Sequence, residues 1–208
     1  MRSTATVRII PLTDGDLRYV PDFLTPDEAD QFMRQLLDGI EWQQHHVVIF
    51  GRQHPAPRLS AWHGSPEAHY AYSGLALEPR PWTEPLLDLK TRLETAANCP
   101  FNSVLLNQYR DGRDSMGWHS DDEPELGTNP TIASLSLGGT RRFLLRHKRR
   151  DHPSVEIPLE HGALLIMRGP TQAHWQHQVP KTQRPCTLRL NLTFRRIVAT
   201  GQLPTDVP

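Results

Sequence analysis

The spacing of apolar residues changes along the chain, from a helical period in the first half to a strand-like texture after Pro100. Apolar positions recurring every three or four residues predict an amphipathic helix, whereas short apolar runs between turn residues predict strands. Serial short strands are typical of a β-sandwich or barrel. The pattern predicts a mainly β fold with flanking helices, of the α+β class. The predicted strands are Val104–Tyr109, Ile132–Leu137, Arg142–His147, Val155–Leu159, Ala163–Arg168 and Thr187–Arg196.

Two segments before Pro100 have helical spacing. Residues 25–28 read Thr-Pro-Asp-Glu, in which the threonine is placed to cap a helix and the glutamate to complete a capping box. The second helix is predicted over Glu84–Ala97. Residues 1–20 are predicted to form a short arm or an early strand, and residues 46–73 have strand-and-loop composition. The predicted apolar positions are Ala29, Phe32, Met33, Leu36 and Leu37 in the first helix and Leu86, Leu89, Leu93 and Ala97 in the second.

Composition narrows the class of protein. The 208 residues suit a single domain, and 23 basic against 23 acidic residues give no overall charge in favour of nucleic acid. Six cations nevertheless crowd residues 141–150, where a basic patch for phosphate and a solvated hairpin are comparable interpretations. Two cysteines are too few for a disulfide framework. With no apolar membrane run and no signal peptide, we expect a cytoplasmic protein, or a nuclear one in a eukaryote.

The candidate metal ligands are His119, Asp121 and His177. Two imidazoles and one carboxylate leave open coordination positions and suit non-haem Fe(II) oxygen chemistry. Residues two apart on a strand point the same way, so His119 and Asp121 are predicted to converge on one ion. His174 competes with His177 as the second imidazole, and most of the 11 histidines must serve no metal. A zinc hydrolase is a further possibility for the same ligand types.

The last predicted strand favours the oxygenase. Its residues alternate between an apolar side, from Leu188 to Phe194, and a polar side that contains Arg189, Asn191 and Arg195. If the polar side faces water, the strand is an ordinary half-buried one. If it faces a barrel interior, its guanidinium groups need anions, and a dicarboxylate such as 2-oxoglutarate would supply them. A zinc hydrolase does not explain these arginines.

Six motifs occur in order along the second half of the chain. They are Asn107-x-Tyr109, Asp111-Gly112, Trp118-His119-Ser120-Asp121-Asp122-Glu123, Ser134-Leu135-Ser136-Leu137-Gly138, Trp175-x-His177 and Arg189-x-Asn191-Leu192-Thr193-Phe194-Arg195. The set resembles the AlkB family of Fe(II)- and 2-oxoglutarate-dependent nucleic-acid dealkylases. The similarity spans roughly residues 46–196. It implies a double-stranded β-helix, the jelly-roll of this oxygenase class.

The resemblance also implies roles for residues. It implies iron on His119, Asp121 and His177. It implies that the distal carboxylate of 2-oxoglutarate is held by Arg189, Asn107 and Tyr109, with Asn191 and Arg195 near the metal-bound end. Oxidative decarboxylation would give succinate and carbon dioxide, and hydroxylation of an N-methyl group would release formaldehyde. The cofactors Fe(II), 2-oxoglutarate and O2 carry this chemistry while the protein supplies positioning.

The same resemblance suggests the substrate contacts. Tyr72 would sandwich the target base with His119, Tyr70 would touch its edge, and Glu123 would accept a hydrogen bond from the exocyclic amine. Arg58 lies in the segment that corresponds to the family's recognition lid and is a candidate phosphate or base-edge contact. Phe50 is a candidate wedge for the gap left by a flipped base, with an ordinary core phenylalanine as the alternative. If Phe50 is a wedge, the basic stretch 141–150 would grip a duplex backbone.

These observations predict a DNA dealkylase acting on 1-methyladenine and 3-methylcytosine. One alternative keeps the iron and 2-oxoglutarate but acts on RNA, a protein or a small molecule; another is a non-catalytic jelly-roll that binds nucleic acid or a ligand. The partner expected is methylated DNA, single- or double-stranded, with RNA as a further candidate, no membrane, and a monomeric chain. We divide residues 1–208, as one domain, into an arm and helix (1–45), a nucleotide-recognition lid (46–80) and a jelly-roll catalytic core (100–196).

Overall fold

The computed structural model describes residues 6–49, 51–68, 70–72, 75–77 and 79–198, with the backbone alone for residues 48, 49, 70–72 and 75–77. Within these ranges the α-helices are α1 Pro26–Gly39, α2 Glu84–Ala97 and α3 Thr171–His174, and a 3-10 helix spans Pro124–Leu126. The strands are β1 Arg8–Ile10, β2 Asp16–Val20, β3 His46–Ile49, β4 Arg52–Pro55, β5 Leu59–Gly64, β6 Tyr70–Tyr72, β7 Leu75–Leu77, β8 Ser103–Tyr109, β9 Met116–His119, β10 Ile132–Gly138, β11 Arg141–His147, β12 Val155–Leu159, β13 Leu164–Arg168, β14 Trp175–Val179 and β15 Arg189–Arg195.

Two antiparallel sheets form the body of the fold. The larger sheet has the strand order β1-β2-β13-β10-β15-β8-β5, and the smaller sheet has the order β12-β11-β14-β9. From β8 to β15 the chain crosses repeatedly between the two sheets, which is the winding of a jelly-roll. The mainly β fold with flanking helices is therefore confirmed. Among the described residues, no helix is long and apolar enough to cross a membrane.

The predicted strands all occur, with ends that differ by at most two residues from the predicted ones. The sequence pattern missed β9 and β14, because Met-Gly-Trp-His and Trp-Gln-His-Gln-Val contain only one β-branched residue between them and no apolar run. The first 20 residues contribute more than an arm, since β2 pairs with β13 and β1 pairs with β2 at the edge of the larger sheet. Strands β9 and β14 carry two residues of the site described below, His119 and His177.

Both predicted helices are confirmed. Thr25 caps α1 through a capping box, with the Glu28 amide donating to the Thr25 hydroxyl at 3.3 Å and the Thr25 amide donating to Glu28 Oε2 at 3.0 Å. Helix α2 ends at Asn98, which has a left-handed φ of 48°. The two helices pack on the apolar face of the larger sheet, and their buried side chains join Leu190, Leu192 and Phe194 of β15 in one core cluster.

The opposite face of the larger sheet meets the smaller sheet in a second core cluster, to which Tyr109, Phe143 and Trp175 belong. Both sides of β15 are therefore buried, and its polar residues point between the sheets rather than into water. Strand register brings the relevant positions together. Arg189 stands opposite Tyr109 and Asn191 opposite Asn107 in the pairing of β15 with β8. In the smaller sheet, His177 stands opposite His119.

Candidate active site

His119, Asp121 and His177 meet at one end of the space between the sheets. The imidazole rings of His119 and His177 have centroids 4.2 Å apart. His177 Nε2 lies 3.9 Å from Asp121 Oδ2, and one ligand atom from each of the three residues lies within 4.8 Å of the others. The three side chains thus converge closely enough to share one metal ion. The competing histidine, His174, lies in α3 and belongs to a different cluster.

Asp121 reaches this position by a route other than the predicted strand alternation. Strand β9 ends at His119, and Asp121 lies in the loop that follows. Two side-chain hydrogen bonds hold that loop: Gln172 Oε1 accepts from the Asp121 amide at 2.8 Å, and the Ser120 hydroxyl donates to the Trp175 carbonyl at 2.9 Å. Both partners come from the α3–β14 segment that precedes His177. The prediction of convergence was right, but its reason was wrong.

Hydrogen bonding prepares His119 as a ligand. Its Nδ1 lies 2.9 Å from the carbonyl oxygen of Gly117, which can only accept a hydrogen bond. Nδ1 therefore carries the proton, and Nε2 keeps its lone pair for a metal. Burial lowers the pKa of His177 to about 3, with the nearby His119 adding to the effect and Asp121 opposing it. His177 is consequently neutral at physiological pH, which is the form that binds metals.

Asp121 is ionised although it is 2% exposed. Burial acts to raise its pKa, but the positive charge of Arg195 and the hydrogen bond from Arg195 outweigh burial, so the pKa lies below its ordinary value. The Arg195 Nη2 group donates to Asp121 Oδ1 at 2.6 Å. The metal-facing carboxylate is thus held by a guanidinium, a contact that sequence reasoning did not foresee when it placed Arg195 near the co-substrate.

Arg189 is a fully buried cation that packs against Tyr109 of the pocket wall, with 0% of its surface exposed. Its Nη2 donates to the Ser136 hydroxyl at 2.9 Å, and its guanidinium carbon lies 5.1 Å from the centre of the Tyr109 ring. Nε and Nη1 donate to no group in the described part of the chain. Burial lowers the pKa of Arg189 to about 10, and the charge of Arg141 adds to this while Tyr109 opposes it. A buried cation with unused donors is complementary to a carboxylate.

The two predicted asparagines also lie in this pocket. Asn107 Oδ1 accepts a hydrogen bond from Arg58 Nε at 3.0 Å. Arg58 also donates to the Ser115 carbonyl at 3.3 Å, and its predicted contact with the substrate stays a prediction. Asn191 donates through Nδ2 to the Ser134 hydroxyl at 2.8 Å and to the Leu135 carbonyl at 3.1 Å. The pocket as a whole is lined by Leu105, Asn107, Tyr109, Met116, His119, Asp121, Ser134, Phe143, Met167, His177, Gln178, Val179, Asn191, Thr193 and Arg195.

The predicted substrate contacts are only partly within the described residues. Phe50 lies outside them, and so do the side chains of Tyr70 and Tyr72, whose backbone forms β6. Their roles stay predictions. Glu123 is half-buried just before the 3-10 helix, and its Oε2 is buried without a hydrogen-bond partner among the described groups. An unpaired carboxylate oxygen near the metal ligands is available to a cationic or amine-bearing group.

The basic stretch 141–150 does not act as one surface. Arg141 is 3% exposed and donates to the carbonyls of Asp111, Asp114 and Pro180, so it cannot hold a phosphate. This corrects the prediction that the whole stretch grips a nucleic-acid backbone. Arg146 lies 4.0 Å from the centre of the Trp118 ring. The other exposed cations with partners are Arg142 with Glu156, Lys148 with Asp122, and Arg149 with Asp14 and Asp151.

The donor set fits Fe(II). Two imidazoles and one ionised carboxylate would hold the ion and leave coordination positions for a chelating 2-oxo acid and a small molecule. The unpaired donors of Arg189 lie in the same inter-sheet space and fit the far carboxylate of such an acid. The fold and the site together define a non-haem iron oxygenase of the jelly-roll class.

Comparison with known proteins specifies the family. A model described as the 2OG-Fe(II) oxygenase superfamily matches residues 16–195. The chain is 47% identical over 186 residues to Alpha-ketoglutarate-dependent dioxygenase alkB homolog 3 of Mus musculus, which covers 85% of this chain and 64% of that protein. It is 40% identical over 183 residues to DNA oxidative demethylase ALKBH2 of Homo sapiens, over 83% of this chain and 70% of that protein. The chain therefore belongs to the AlkB family within the 2OG-Fe(II) oxygenase superfamily.

The fold agrees with this assignment. The solved chain described as "The structure of OsALKBH1" superposes with a TM-score of 0.63 at 19% identity, covering 91% of this chain and 100% of that one. At this identity the match shows the fold alone. The chain spans 64% of the length of the mouse relative. Membership of the superfamily implies Fe(II), 2-oxoglutarate and O2 as cofactors.

Proposed function

We propose that this protein is an Fe(II)- and 2-oxoglutarate-dependent dioxygenase that demethylates 1-methyladenine and 3-methylcytosine in DNA. The observation that carries the proposal is the meeting of His119, Asp121 and His177 beside a buried arginine with unused donors. The relatives named DNA oxidative demethylase support DNA as the substrate. The iron centre with its co-substrates would supply oxidation of the N-methyl group, which leaves as formaldehyde while 2-oxoglutarate becomes succinate and carbon dioxide.

The chain's own residues would hold and orient the reactants. His119, Asp121 and His177 would bind the metal, and Arg189 with Asn107 and Tyr109 would bind the distal carboxylate of 2-oxoglutarate. The base must be flipped or single-stranded to reach a site between two sheets. The segment 46–80, which includes the hairpins β3–β4 and β6–β7, would cover it, with Tyr70 and Tyr72 on the base. The apolar wall formed by Phe143 and Met167 would limit water at the metal.

The decisive experiment measures formaldehyde and succinate from matched oligonucleotides that carry one methylated base. Single- and double-stranded DNA and single-stranded RNA are compared, each with Fe(II) and 2-oxoglutarate present or withheld. The proposal predicts that formaldehyde appears in a one-to-one ratio with succinate and requires the methyl group, iron and 2-oxoglutarate. If only the RNA oligonucleotide were demethylated, the substrate would be RNA rather than DNA. Succinate formation that ignores every methylated oligonucleotide would point to a protein or small-molecule substrate.

Glu123→Gln should lower kcat/KM for methylated DNA by roughly tenfold, because hydrogen bonds to charged groups contribute about 1.5–3 kcal/mol. The Oε2 of Glu123, which is buried without a partner among the described groups, would accept from an exocyclic amine and favour the positive charge of a base methylated on a ring nitrogen. The KM for 2-oxoglutarate should not change. Glu125→Gln is the matched control, since Glu125 is also half-buried two positions further on. If the two substitutions lowered kcat/KM equally, the proposed contact between Glu123 and the base would be wrong.

Arg195→Ala should have two effects. It removes a cation from the co-substrate pocket, and it also removes the 2.6 Å hydrogen bond that fixes Asp121. We expect a raised KM for 2-oxoglutarate together with a metal affinity lowered by roughly 10- to 100-fold, the usual cost of losing a group that orients a metal ligand. Steady-state kinetics and metal titration separate the two effects. Arg196→Ala, a change of the exposed neighbour, is the control, and unchanged 2-oxoglutarate kinetics in Arg195→Ala would exclude the carboxylate role.

A further inference from the structure

A second group of metal-ligating side chains lies outside the pocket. It consists of Asp14, His147 and His174, which come from the turn between β1 and β2, the end of β11 and the end of α3. One ligand atom from each residue lies within 4.8 Å of the others. Two imidazoles and one carboxylate are again the ligand types, although these three residues share no position with the His119 triad. We call this group the hairpin cluster, because it stands at the root of the β11–β12 hairpin.

The buried member of the hairpin cluster has an unused nitrogen. His147 is 1% exposed, and its Nε2 forms no hydrogen bond with any described group. That nitrogen points at the cluster, where Asp14 Oδ2 lies 3.6 Å away. The His174 ring lies nearly parallel to the His147 ring, with centroids 5.8 Å apart. Buried polar atoms without partners are uncommon in folded proteins, so an orphan nitrogen facing a carboxylate and an imidazole requires an explanation.

The other nitrogen of His147 has two polar neighbours. The Arg149 amide donates to Nδ1 at 3.3 Å, and Asp151 Oδ1 lies 3.3 Å from the same atom. The contact with Arg149 requires the tautomer with the proton on Nε2. A metal at Nε2 would move that proton to Nδ1, where Asp151 can accept it, and a carboxylate in this position is usual behind histidines that bind metals. His152 stands on the same side, with its Nε2 3.4 Å from Asp151.

Two hydrogen bonds hold the three elements of the hairpin cluster together. The Trp175 indole donates to the Thr13 carbonyl at 2.8 Å, and the Lys148 amide donates to the His174 carbonyl at 2.7 Å. The first hydrogen bond joins the residue after His174 to the residue before Asp14, and the second joins the residue after His147 to His174 itself. The ligand atoms are therefore brought together by the backbone, and an ion would not have to order the loops that carry them.

Arg149 is the protein's own cation at the hairpin cluster. Its guanidinium lies 3.4 Å from Asp14 Oδ2 and 3.4 Å from Asp151 Oδ2. Its side chain is 62% exposed, and ion pairs of such exposed groups are weak because water screens them. Arg149 can therefore turn into solvent when a divalent cation takes Asp14. The Arg149 guanidinium also forms no hydrogen bond with His147 Nε2, and this nitrogen has no hydrogen-bond partner among the described residues.

We infer that Asp14, His147 and His174 form a second metal site, distinct from the His119 triad, that takes Zn²⁺. Two imidazoles and a carboxylate with a remaining water position suit zinc, and tetrahedral coordination needs no further protein ligand. The bound ion would fasten the β1–β2 turn and the root of the basic hairpin to α3. Because α3 leads directly into β14, the ion would stabilise the segment that carries His177 without touching the catalytic pocket.

The test counts zinc ions on the untagged full chain by equilibrium dialysis and elemental analysis. In a His119→Ala/Asp121→Ala background the triad cannot bind, so we expect one Zn²⁺ per chain instead of two. Adding Asp14→Asn or His174→Asn should weaken the remaining site at least tenfold. Asparagine tolerates the left-handed φ of 54° at position 14, and that site is exposed, so Asp14→Asn decides the matter even if His174→Asn does not fold.

His161→Asn in the same background is the matched control. His161 also faces an aspartate, with Nε2 3.3 Å from Asp30, but the described residues offer no third ligand there, and asparagine can still accept from the Gly138 amide. This variant should keep one Zn²⁺. Amide hydrogen exchange of residues 147–152 should also slow when zinc is added, and Asp14→Asn should abolish that change. Absence of zinc from the triad-deficient chain, or zinc that survives both cluster substitutions, would overturn the second site.

Discussion

Replacing His119 with alanine is expected to reduce formaldehyde release from methylated oligonucleotides to background, a loss of more than ~100-fold. Losing a group that merely orients a metal ligand costs about 10- to 100-fold, so losing a ligand should cost more. His119 is suited to the test because it is only half-buried, and its one hydrogen bond in the described structure is from Nδ1 to the Gly117 carbonyl. The fold should therefore survive the substitution.

The measurement has to separate lost metal binding from lost structure. Metal content, the thermal midpoint and succinate formation are compared for wild type, His119→Ala and Asp122→Ala. Asp122 is the matched control, since it adjoins Asp121 but is exposed and paired with Lys148 rather than with the triad. We expect Asp122→Ala to keep full turnover. A His119→Ala protein that still releases formaldehyde would contradict the assignment of the metal centre and with it the proposed reaction.

The sequence alone predicted those parts of the fold that depend on local patterns. The capping box at Thr25 and Glu28 was visible because both partners lie within one turn. The polar side of β15 was predictable because residue alternation survives in a strand buried on both faces. The motif order also predicted the jelly-roll and the metal triad through resemblance to a family. Local spacing and residue types were enough for these features.

The features that could not be predicted from the sequence depend on contacts between residues far apart along the chain. Whether His174 or His177 is the second imidazole of the metal site depends on where α3 ends and β14 begins. His174 is the last residue of α3, and His177 lies in the middle of β14. The position of Asp121 depends on Gln172, a neutral residue 51 positions away that no spacing rule would select. Likewise, nothing local joins Asp14 to His147. Long-range contacts of this kind are set by how strands pair, and strand pairing is not encoded in any short window.

The two buried arginines beside Tyr109 illustrate the limit most clearly. Both stand on strands of the jelly-roll, and both have a guanidinium within 5.6 Å of the Tyr109 ring. In the sequence, Arg141 belongs to the basic stretch 141–150, and Arg189 begins the motif of the last strand. In the structure Arg141 donates to three backbone carbonyls, whereas Arg189 keeps Nε and Nη1 unused in the described part of the protein. This difference in hydrogen bonding, rather than burial or charge, is the reason for proposing that Arg189 binds a ligand and that Arg141 is structural.

Arg189→Met is accordingly expected to raise the KM for 2-oxoglutarate by roughly 10- to 150-fold, because hydrogen bonds to charged groups contribute about 1.5–3 kcal/mol. The thermal midpoint without 2-oxoglutarate should stay the same or rise. Methionine fills similar volume, and it removes a buried cation whose desolvation is offset only in part by the hydrogen bond to Ser136 and the contact with Tyr109. Steady-state kinetics and thermal unfolding, with and without 2-oxoglutarate, check both halves of the prediction.

Arg141→Met should show the opposite behaviour. The substitution leaves the carbonyls of Asp111, Asp114 and Pro180 without their donor, and unsatisfied buried acceptors cost about 1–3 kcal/mol each. We expect a lower thermal midpoint and an unchanged KM for 2-oxoglutarate in the folded enzyme. The stabilisation that 2-oxoglutarate gives against unfolding should persist in Arg141→Met and disappear in Arg189→Met. If both substitutions destabilise the fold and spare the KM, Arg189 is structural, and the co-substrate carboxylate must bind elsewhere.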